Sequence, residues 1–135
     1  MKHLIFVILL MGIISCEKKD DNHLDIKAGI GGNIQYGIGD CMPQIDESKI
    51  IYNNYNGILY FILKSEIEQN HNFEQLKDKS IKTSVKNGNF AIELPIGTYL
   101  IIPNDVYLYS DYNTVTIKEN TVVKKSLKFW KCTSY

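Results

Sequence analysis

An all-β sandwich is the fold class this sequence predicts, and three observations predict it. Short runs of alternating apolar and polar residues recur along the chain, separated by Gly, Asn, Asp and Pro, the pattern of half-buried strands joined by turns. Asn87-Gly88 stands between two such runs, the strongest short-range hairpin signal, because a type I′ turn needs positive φ at both central positions. No regular strand-helix-strand alternation of the kind that builds parallel sheets is present, so antiparallel strands in two packed sheets are expected.

The chain begins with Lys2 and His3, then a purely apolar-to-small run over residues 4–14. About ten apolar residues suit the core of a signal peptide, whereas a spanning helix needs roughly twenty. The run ends Ile13-Ile14-Ser15-Cys16, which resembles the lipobox of bacterial lipoproteins: an aliphatic residue, a small residue, then the cysteine that receives the lipid. The resemblance implies that residues 1–15 are a leader and that Cys16 becomes a lipidated N-terminus. Each buried CH₂ of an acyl chain contributes roughly 0.8 kcal/mol, so the chains of a bacterial lipoprotein anchor it to a membrane without spanning it.

Residues 16–25 read as a tether, since Glu17-Lys18-Lys19-Asp20-Asp21-Asn22 offers no apolar area to bury. Lys19, Asp20 and Asp21 also resemble the lysine-plus-acidic export signal of surface lipoproteins in some Gram-negative lineages. That implies an outer-membrane lipoprotein at the cell surface, with the periplasmic face as the other placement.

Residues 26–135 are expected to form one domain with a single core. The first strand is read over residues 27–36, with Ile26, Ala28, Ile30, Ile34 and Tyr36 on one face; Gly29, Gly31 and Gly32 within it point to a bulge or a close backbone approach. A long loop reaches residue 56, followed by the nearly continuous apolar run of residues 57–63, which reads as a central strand buried on both faces. Residues 65–79 break the pattern. Ser65 with Glu68 and Asn72 with Gln75 have capping-box spacing, and Phe73 can share a helical face with Leu76. Short helical turns crossing between the sheets are expected there, against a plain polar loop.

The hairpin follows, with Phe90, Ile92 and Leu94 on one side and Ala91 and Glu93 on the other; Pro95 and Gly97 suit a type I turn. Further strands are read at residues 99–102, 114–117 and 122–132. In the last, Val123, Leu127 and Phe129 share a face opposite Trp130.

Asn87-Gly88-Asn89-Phe90-Ala91-Ile92-Glu93-Leu94-Pro95-Ile96-Gly97-Thr98-Tyr99 resembles the G-x-F-x-x-x-L-P-x-G-x-Y signature of carboxypeptidase regulatory-like, or prealbumin-like, domains, through Gly88, Phe90, Leu94, Pro95, Gly97 and Tyr99. The resemblance implies a seven-stranded antiparallel Greek-key sandwich, usually an accessory, adhesive or binding module. Some prealbumin-like proteins are hydroxyisourate hydrolases, whose sites use histidines, an arginine and a C-terminal Tyr-Arg-Gly-Ser. This chain ends Lys131-Cys132-Thr133-Ser134-Tyr135 and contains no arginine, so no such activity is expected.

Fifteen basic residues balance fifteen acidic ones. All of the basic ones are lysine, which removes the bidentate guanidinium that reads phosphate and guanine, and no lysine cluster replaces it. Nucleic-acid binding is not expected. If Cys16 carries lipid, Cys41 and Cys132 remain as a pair able to form a disulfide in an oxidising compartment. That pairing is geometrically reasonable if the first and last strands lie side by side and parallel.

His23 and His71 lack any neighbouring nucleophile or metal-ligand partner in the sequence, so neither a catalytic residue nor a cofactor or metal is expected. Asp40, Asp46 and Glu47, or Asp105 and Asp111, gather oxygen atoms but lack calcium-loop spacing. Tyrosines are the better candidates. Tyr52 and Tyr55 fall in one expected loop, and Tyr107, Tyr109 and Tyr112 in another. They could offer rigid contact area to a protein or a sugar, or close the ends of the sandwich through hydroxyl bonds to backbone. The function expected is a noncatalytic protein-binding or structural lipoprotein, with a surface glycan-binding module as the alternative.

Overall fold

The computed structural model describes residues 26–40, 45–106 and 111–133. These form a mostly β structure of two facing sheets. Sheet A contains β1 (Gly29–Gly39), β2 (Ile51–Asn54), β5 (Asn89–Glu93) and β8 (Val122–Cys132); sheet B contains β3 (Gly57–Leu63), β4 (Ile81–Val85), β6 (Gly97–Pro103) and β7 (Thr114–Ile117) in the order β4-β3-β6-β7. The strands at residues 57–63, 114–117 and 122–132 have the bounds read from the sequence.

Between the sheets lies a core that includes Ile30, Ile34, Leu59, Phe61, Phe90, Leu94, Tyr99, Ile101, Ile117, Leu127 and Phe129. The alternation of each strand selects these residues: Leu59, Phe61 and Leu63 of β3 stand opposite Pro103, Ile101 and Tyr99 of β6. The rings of Phe61 and Phe90 stand 6.4 Å apart and tilted, bridging the two sheets with an aromatic contact. Tyr99 is buried because its hydroxyl donates to the Pro95 carbonyl at 3.0 Å, which satisfies the polar tip of an otherwise apolar side chain. That bond shapes the connection from β5 to β6.

β1 organises sheet A. One edge runs the full length of β8 in parallel, from Gly29 against Val122 to Gly39 against Cys132. The other edge is shared by two antiparallel strands in succession: β5 takes residues from Gly29 to Asn33, and β2 takes residues from Gln35 to Ile38. Ile34 sits at the changeover. Its N–H donates to Gly88 O at 2.8 Å, its carbonyl accepts from Tyr55 N at 3.1 Å, and Gly88 N donates to Tyr55 O at 2.8 Å. Three segments thus share one backbone junction without leaving a buried peptide group unpaired.

The Asn-Gly turn supplies that junction. Asn87 has φ 49° and Gly88 φ 76°, the positive values expected of a type I′ turn. The turn nevertheless joins β4 of sheet B to β5 of sheet A, so it straddles one end of the sandwich instead of closing a hairpin within one sheet. A side chain on Gly88 would press on Ile34 O, 2.9 Å from its Cβ position.

Four expectations need correction. The described residues hold eight strands where seven were read, because β2 falls in the stretch read as loop. Its sequence, Ile-Tyr-Asn-Asn, carries a weak strand signal, and Ile51 is 73% exposed; backbone pairing to β1 makes it a strand. Second, the pairing of β1 with β8 is parallel, whereas the remaining pairs are antiparallel.

Third, the helical segment does not cross between sheets. Helix α1 (Lys64–Gln69) and helix α2 (Phe73–Lys79) connect β3 to β4, which are neighbours in sheet B. They cover the outer face of that sheet, where Ile62, Leu76, Leu100 and Ile102 form a second buried cluster with Tyr60, Ile67 and Phe73 against it. This explains why β3 reads as apolar on both faces. Fourth, Ser65 does not cap α1, whose N-cap is Leu63 with no side-chain bond, whereas Asn72 does cap α2, accepting from Gln75 N at 3.2 Å.

Lys77 of α2 is buried under this cover. Its ammonium donates to the Asn104 carbonyl and lies 5.4 Å from the centre of the Tyr60 ring. Burial pushes its pKa below the ordinary lysine value, against the opposing pull of Glu74 and Asp105. Between the lowered folded value and the unfolded value, the unfolded chain binds more protons, so this group makes stability rise with pH in that window. Burial of Lys125 acts in the same direction. The difference between wild type and Lys77→Met in urea unfolding from pH 7 to 10 therefore isolates Lys77, and wild type is expected to show the steeper rise. Parallel stability curves would contradict this.

Candidate functional site

The two outer faces of the sandwich differ. Helices α1 and α2 cover sheet B, whereas among the described residues no α-helix or strand covers sheet A; buried Ile50 packs over Gly37 and Gly39 at one end of it. Register determines what that open face displays. On β1, Ile30, Ile34 and Tyr36 belong to the core side, so the alternate residues Asn33, Gln35 and Gly37 point outward.

Three cross-strand rows result. Tyr52, Gly37 and Trp130 form the first; Asn54, Gln35 and Lys128 the second; Asn89, Asn33 and Ser126 the third. Gly37 is buried at the centre of the first row, where Ile50 and the Tyr52 ring fill the space a side chain would take: a Cβ on Gly37 would lie 2.4 Å from Ile50 Cγ2 and 3.0 Å from Tyr52 Cδ1. Lys128 extends over the Tyr52 ring, with Nζ 5.1 Å from its centre.

The lower rows form a shallow groove of about 370 Å³ lined by Asn33, Gln35, Asn54, Asn87, Asn89 and Ser126 with Lys128. Amides knit its wall together. Asn54 Nδ2 donates to Asn87 Oδ1 at 2.9 Å, Asn33 Nδ2 to Asn89 Oδ1 at 3.2 Å, and Asn89 Nδ2 to Asn87 O at 3.2 Å. Asn56 Oδ1 accepts from Asn87 N at 2.7 Å. Gln35 and Ser126 make no side-chain hydrogen bond among the described residues and remain available.

An apolar hollow of about 510 Å³ adjoins this groove through Lys128. Ile45, Val106, Tyr112, Phe129 and Trp130 line it, with Glu47 at its side. Tyr112 also closes the free edge of β8, accepting from Lys128 N at 3.0 Å and donating to Ser126 O at 3.4 Å. Its hydroxyl stands in for a neighbouring strand and blunts the edge as a pairing surface.

The tyrosine candidates therefore separate. Tyr52 lies in β2, not in a loop, and belongs to the open face; burial pushes its pKa up, with nearby Glu47 adding to the effect. Tyr112 combines an edge bond with the lining of the hollow. Tyr55 faces the other way: its hydroxyl donates to Ile58 O at 3.0 Å and accepts from Asn104 N at 3.3 Å, and burial raises its pKa. Tyr107 and Tyr109 lie outside the described residues, as do Cys16, Lys19, Asp20, Asp21, His23 and Cys41. Trp130, placed from sequence only on the face opposite Leu127 and Phe129, was not assigned to a site. Its parity with respect to Leu127 and Phe129 was the available signal.

The acids are placed apart. Asp46 accepts from Ser48 N and Oγ at 3.1 and 2.6 Å and pairs with Lys49 at 3.3 Å; those hydrogen bonds hold its carboxyl below the ordinary range. Asp105 accepts from Asn104 Nδ2 at 3.2 Å. Among the described residues no group of three His, Cys, Asp or Glu gathers as a metal site, and no helix is long and apolar enough to cross a membrane.

Tyr36 is an exception to polar satisfaction. Its hydroxyl is buried without a partner among the described residues, its ring lies 5.8 Å from that of Tyr55, and burial followed by the Asp105 charge pushes its pKa up. An unsatisfied buried hydroxyl costs roughly 1–3 kcal/mol. Tyr36→Phe is thus expected to leave stability unchanged or raise it by about 1 kcal/mol in urea unfolding, whereas a loss of that size would reveal a bond to the hydroxyl.

No family model matches the chain, and no curated protein or solved structure matches it either. The site is therefore interpreted from its own chemistry.

Proposed function

We propose that this protein is an exported, lipid-anchored recognition module without catalytic activity, held at the outer membrane and displayed at the cell surface. In this reading residues 1–15 are removed, Cys16 carries the lipid, residues 16–25 are the tether with Lys19, Asp20 and Asp21 as the export signal, and residues 26–135 form a prealbumin-like Greek-key sandwich. The observation that carries it is the asymmetry of the sandwich: helices cover sheet B, while sheet A presents amide and aromatic side chains outward beside an apolar hollow. Such a surface offers contact area and hydrogen bonds. It lacks a paired nucleophile and base among the described residues, so recognition suits it better than turnover.

A disulfide between Cys41 and Cys132 belongs to the same proposal. It is supported by the parallel β1–β8 register, which sets Gly39 against Cys132, and by Thr133 N, which donates to Gly39 O at 3.0 Å.

A second reading, a protein partner, rests on a surface other than the outer face of sheet A: Ile38 and Ile51, each more than half exposed, pair in the β1–β2 ladder. Exposed apolar side chains grouped at one end are typical of contact surfaces.

Two measurements test the proposal. Incorporation of an alkynyl fatty acid by the full chain should vanish in Cys16→Ala; persistence of the label would remove the lipoprotein reading. A Ser126→Cys variant should react with a maleimide more slowly in native membranes than as purified protein, because a bound partner shields sheet A. Equal rates would show that this face is unoccupied and would overturn the recognition module.

A further inference from the structure

We infer that the outer face of sheet A is a saccharide-binding site, with Trp130 and Tyr52 as the apolar platform and Gln35, Asn33, Asn54 and Ser126 as the hydrogen-bonding groups. This rests on the recognition-module reading above and names the chemistry of its ligand. The site differs from the tyrosine loops considered from sequence, since most of its groups come from strands.

A sugar ring presents two kinds of surface at once. Its axial C–H groups form an apolar patch that packs against an aromatic ring, while its rim carries neighbouring hydroxyls, each both donor and acceptor. A carboxamide answers such a rim with one acceptor and two donors in a plane. Tryptophan and tyrosine answer the patch with a large, rigid surface and a polar tip.

The three rows place these groups in order. Tyr52, Gly37 and Trp130 lie across one level of the sheet, and the amides of Asn54, Gln35, Asn33 and Asn89 occupy the next two. Levels on one face of a strand are spaced by two residues, about 6.6 Å, so the three levels cover roughly 13 Å. That length suits a short oligosaccharide lying along β1. The structure also holds the amides still: Asn33 and Asn54 are each oriented by a bond to Asn89 or Asn87, so less side-chain entropy is lost when a ligand engages them.

Charge narrows the ligand class. Among the residues lining the amide groove, Lys128 is the one charged group and no carboxylate is present. Within the groove a cation finds no counter-charge, Glu47 standing instead at the platform end beside Tyr52, and a polyanion finds one lysine and no arginine. Backbone recognition of an extended peptide along β1, or at this part of β8, is also disfavoured. Both edges of β1 are paired, and Tyr112 occupies the β8 edge at Ser126 and Lys128.

Trp130 is the sole tryptophan in the chain, so its emission reports directly on the platform. The mature full-length protein, without its lipid, is titrated with dextran, pullulan, xylan, galactomannan and laminarin, while native gels containing each polymer measure retardation. At least one polymer should shift Trp130 emission saturably and retard migration. Gln35→Ala should weaken that binding at least tenfold, and Trp130→Ala should abolish retardation. Lys82→Ala, on β4 of the opposite sheet, should bind as wild type. Melting curves of each variant establish that loss of binding is not loss of fold.

Failure of all five polymers to shift emission or migration overturns the saccharide assignment, as does wild-type affinity in both Gln35→Ala and Trp130→Ala. The two readings remain separable: if the polymers fail while Ser126→Cys stays shielded in native membranes, the face engages a protein and only the saccharide inference falls.

Discussion

Gly32→Ala is expected to destabilise the domain by roughly 3 kcal/mol or more, the upper range for inserting a methyl group where packing cannot yield. The added Cβ would lie 1.9 Å from Lys125 O and 2.8 Å from Lys125 C. Both atoms belong to β8 backbone in the parallel ladder, where Gly32 stands against Lys125, so no rotamer change relieves the clash. Relief requires the two longest strands of sheet A to move apart. Gly97→Ala provides the contrast, because its closest neighbour is Leu63 Cδ2 at 3.0 Å, a flexible side-chain end. Its cost is expected to be about 1 kcal/mol or less. Urea unfolding of both variants measures the difference, and equal costs would show that the β1–β8 ladder yields as readily as a leucine side chain.

Removal of the proposed Cys41–Cys132 disulfide should have the largest effect of any change that leaves the core intact. The bridge would close a loop of roughly 90 residues, for which the chain-entropy model gives about 4–5 kcal/mol. Small domains commonly have a net stability of about 5–15 kcal/mol, so the loss is a large fraction of the total. The double variant Cys41→Ser, Cys132→Ser should unfold at lower urea, and reductant should shift wild type to the same midpoint without affecting the variant. A shift equivalent to less than 1 kcal/mol, or a midpoint insensitive to reductant, would contradict the bridge. The β1–β8 ladder sets Gly39, two residues before Cys41 in sequence, beside Cys132.

Much of the architecture was legible because it depends on local rules. The apolar run of residues 57–63 became β3 with the same bounds, and the Asn87-Gly88 pair adopted the positive φ values that the turn demands. Asn72 capped α2 through its side chain. Each of these signals lies within a few residues and needs no knowledge of distant partners. β2 was missed for the opposite reason: Tyr52, Asn53 and Asn54 resemble loop residues, and only the unpaired half of the β1 edge makes them a strand. Likewise, capping spacing at Ser65 did not determine where α1 begins, because β3 continues to Leu63 and the helix starts directly after it.

The candidate site was the least legible part. Asn33, Gln35, Asn54, Asn89, Ser126, Lys128 and Trp130 are distributed over almost one hundred positions, and apart from Asn89, which follows the Asn-Gly turn, none has a motif around it. What unites them is the register of β2, β5 and β8 on β1, which no local pattern encodes. Tyr55 and Tyr52 show the same point in reverse: three residues apart in one segment, one secures the turn at Asn104 while the other lies on the open face.

By itself, the sequence determined the β class of this protein, the periodicity that assigns each strand a core side, and the backbone form of the Asn87-Gly88 turn, because side-chain alternation and glycine-permitted φ values are local properties of the chain. Tertiary structure alone decided that β1 and β8 run parallel, that the helices cover sheet B, and that the amide and aromatic rows assemble on the uncovered side of sheet A. Those outcomes depend on pairing between distant strands, where backbone hydrogen bonds set the register and the register sets which side chains become neighbours.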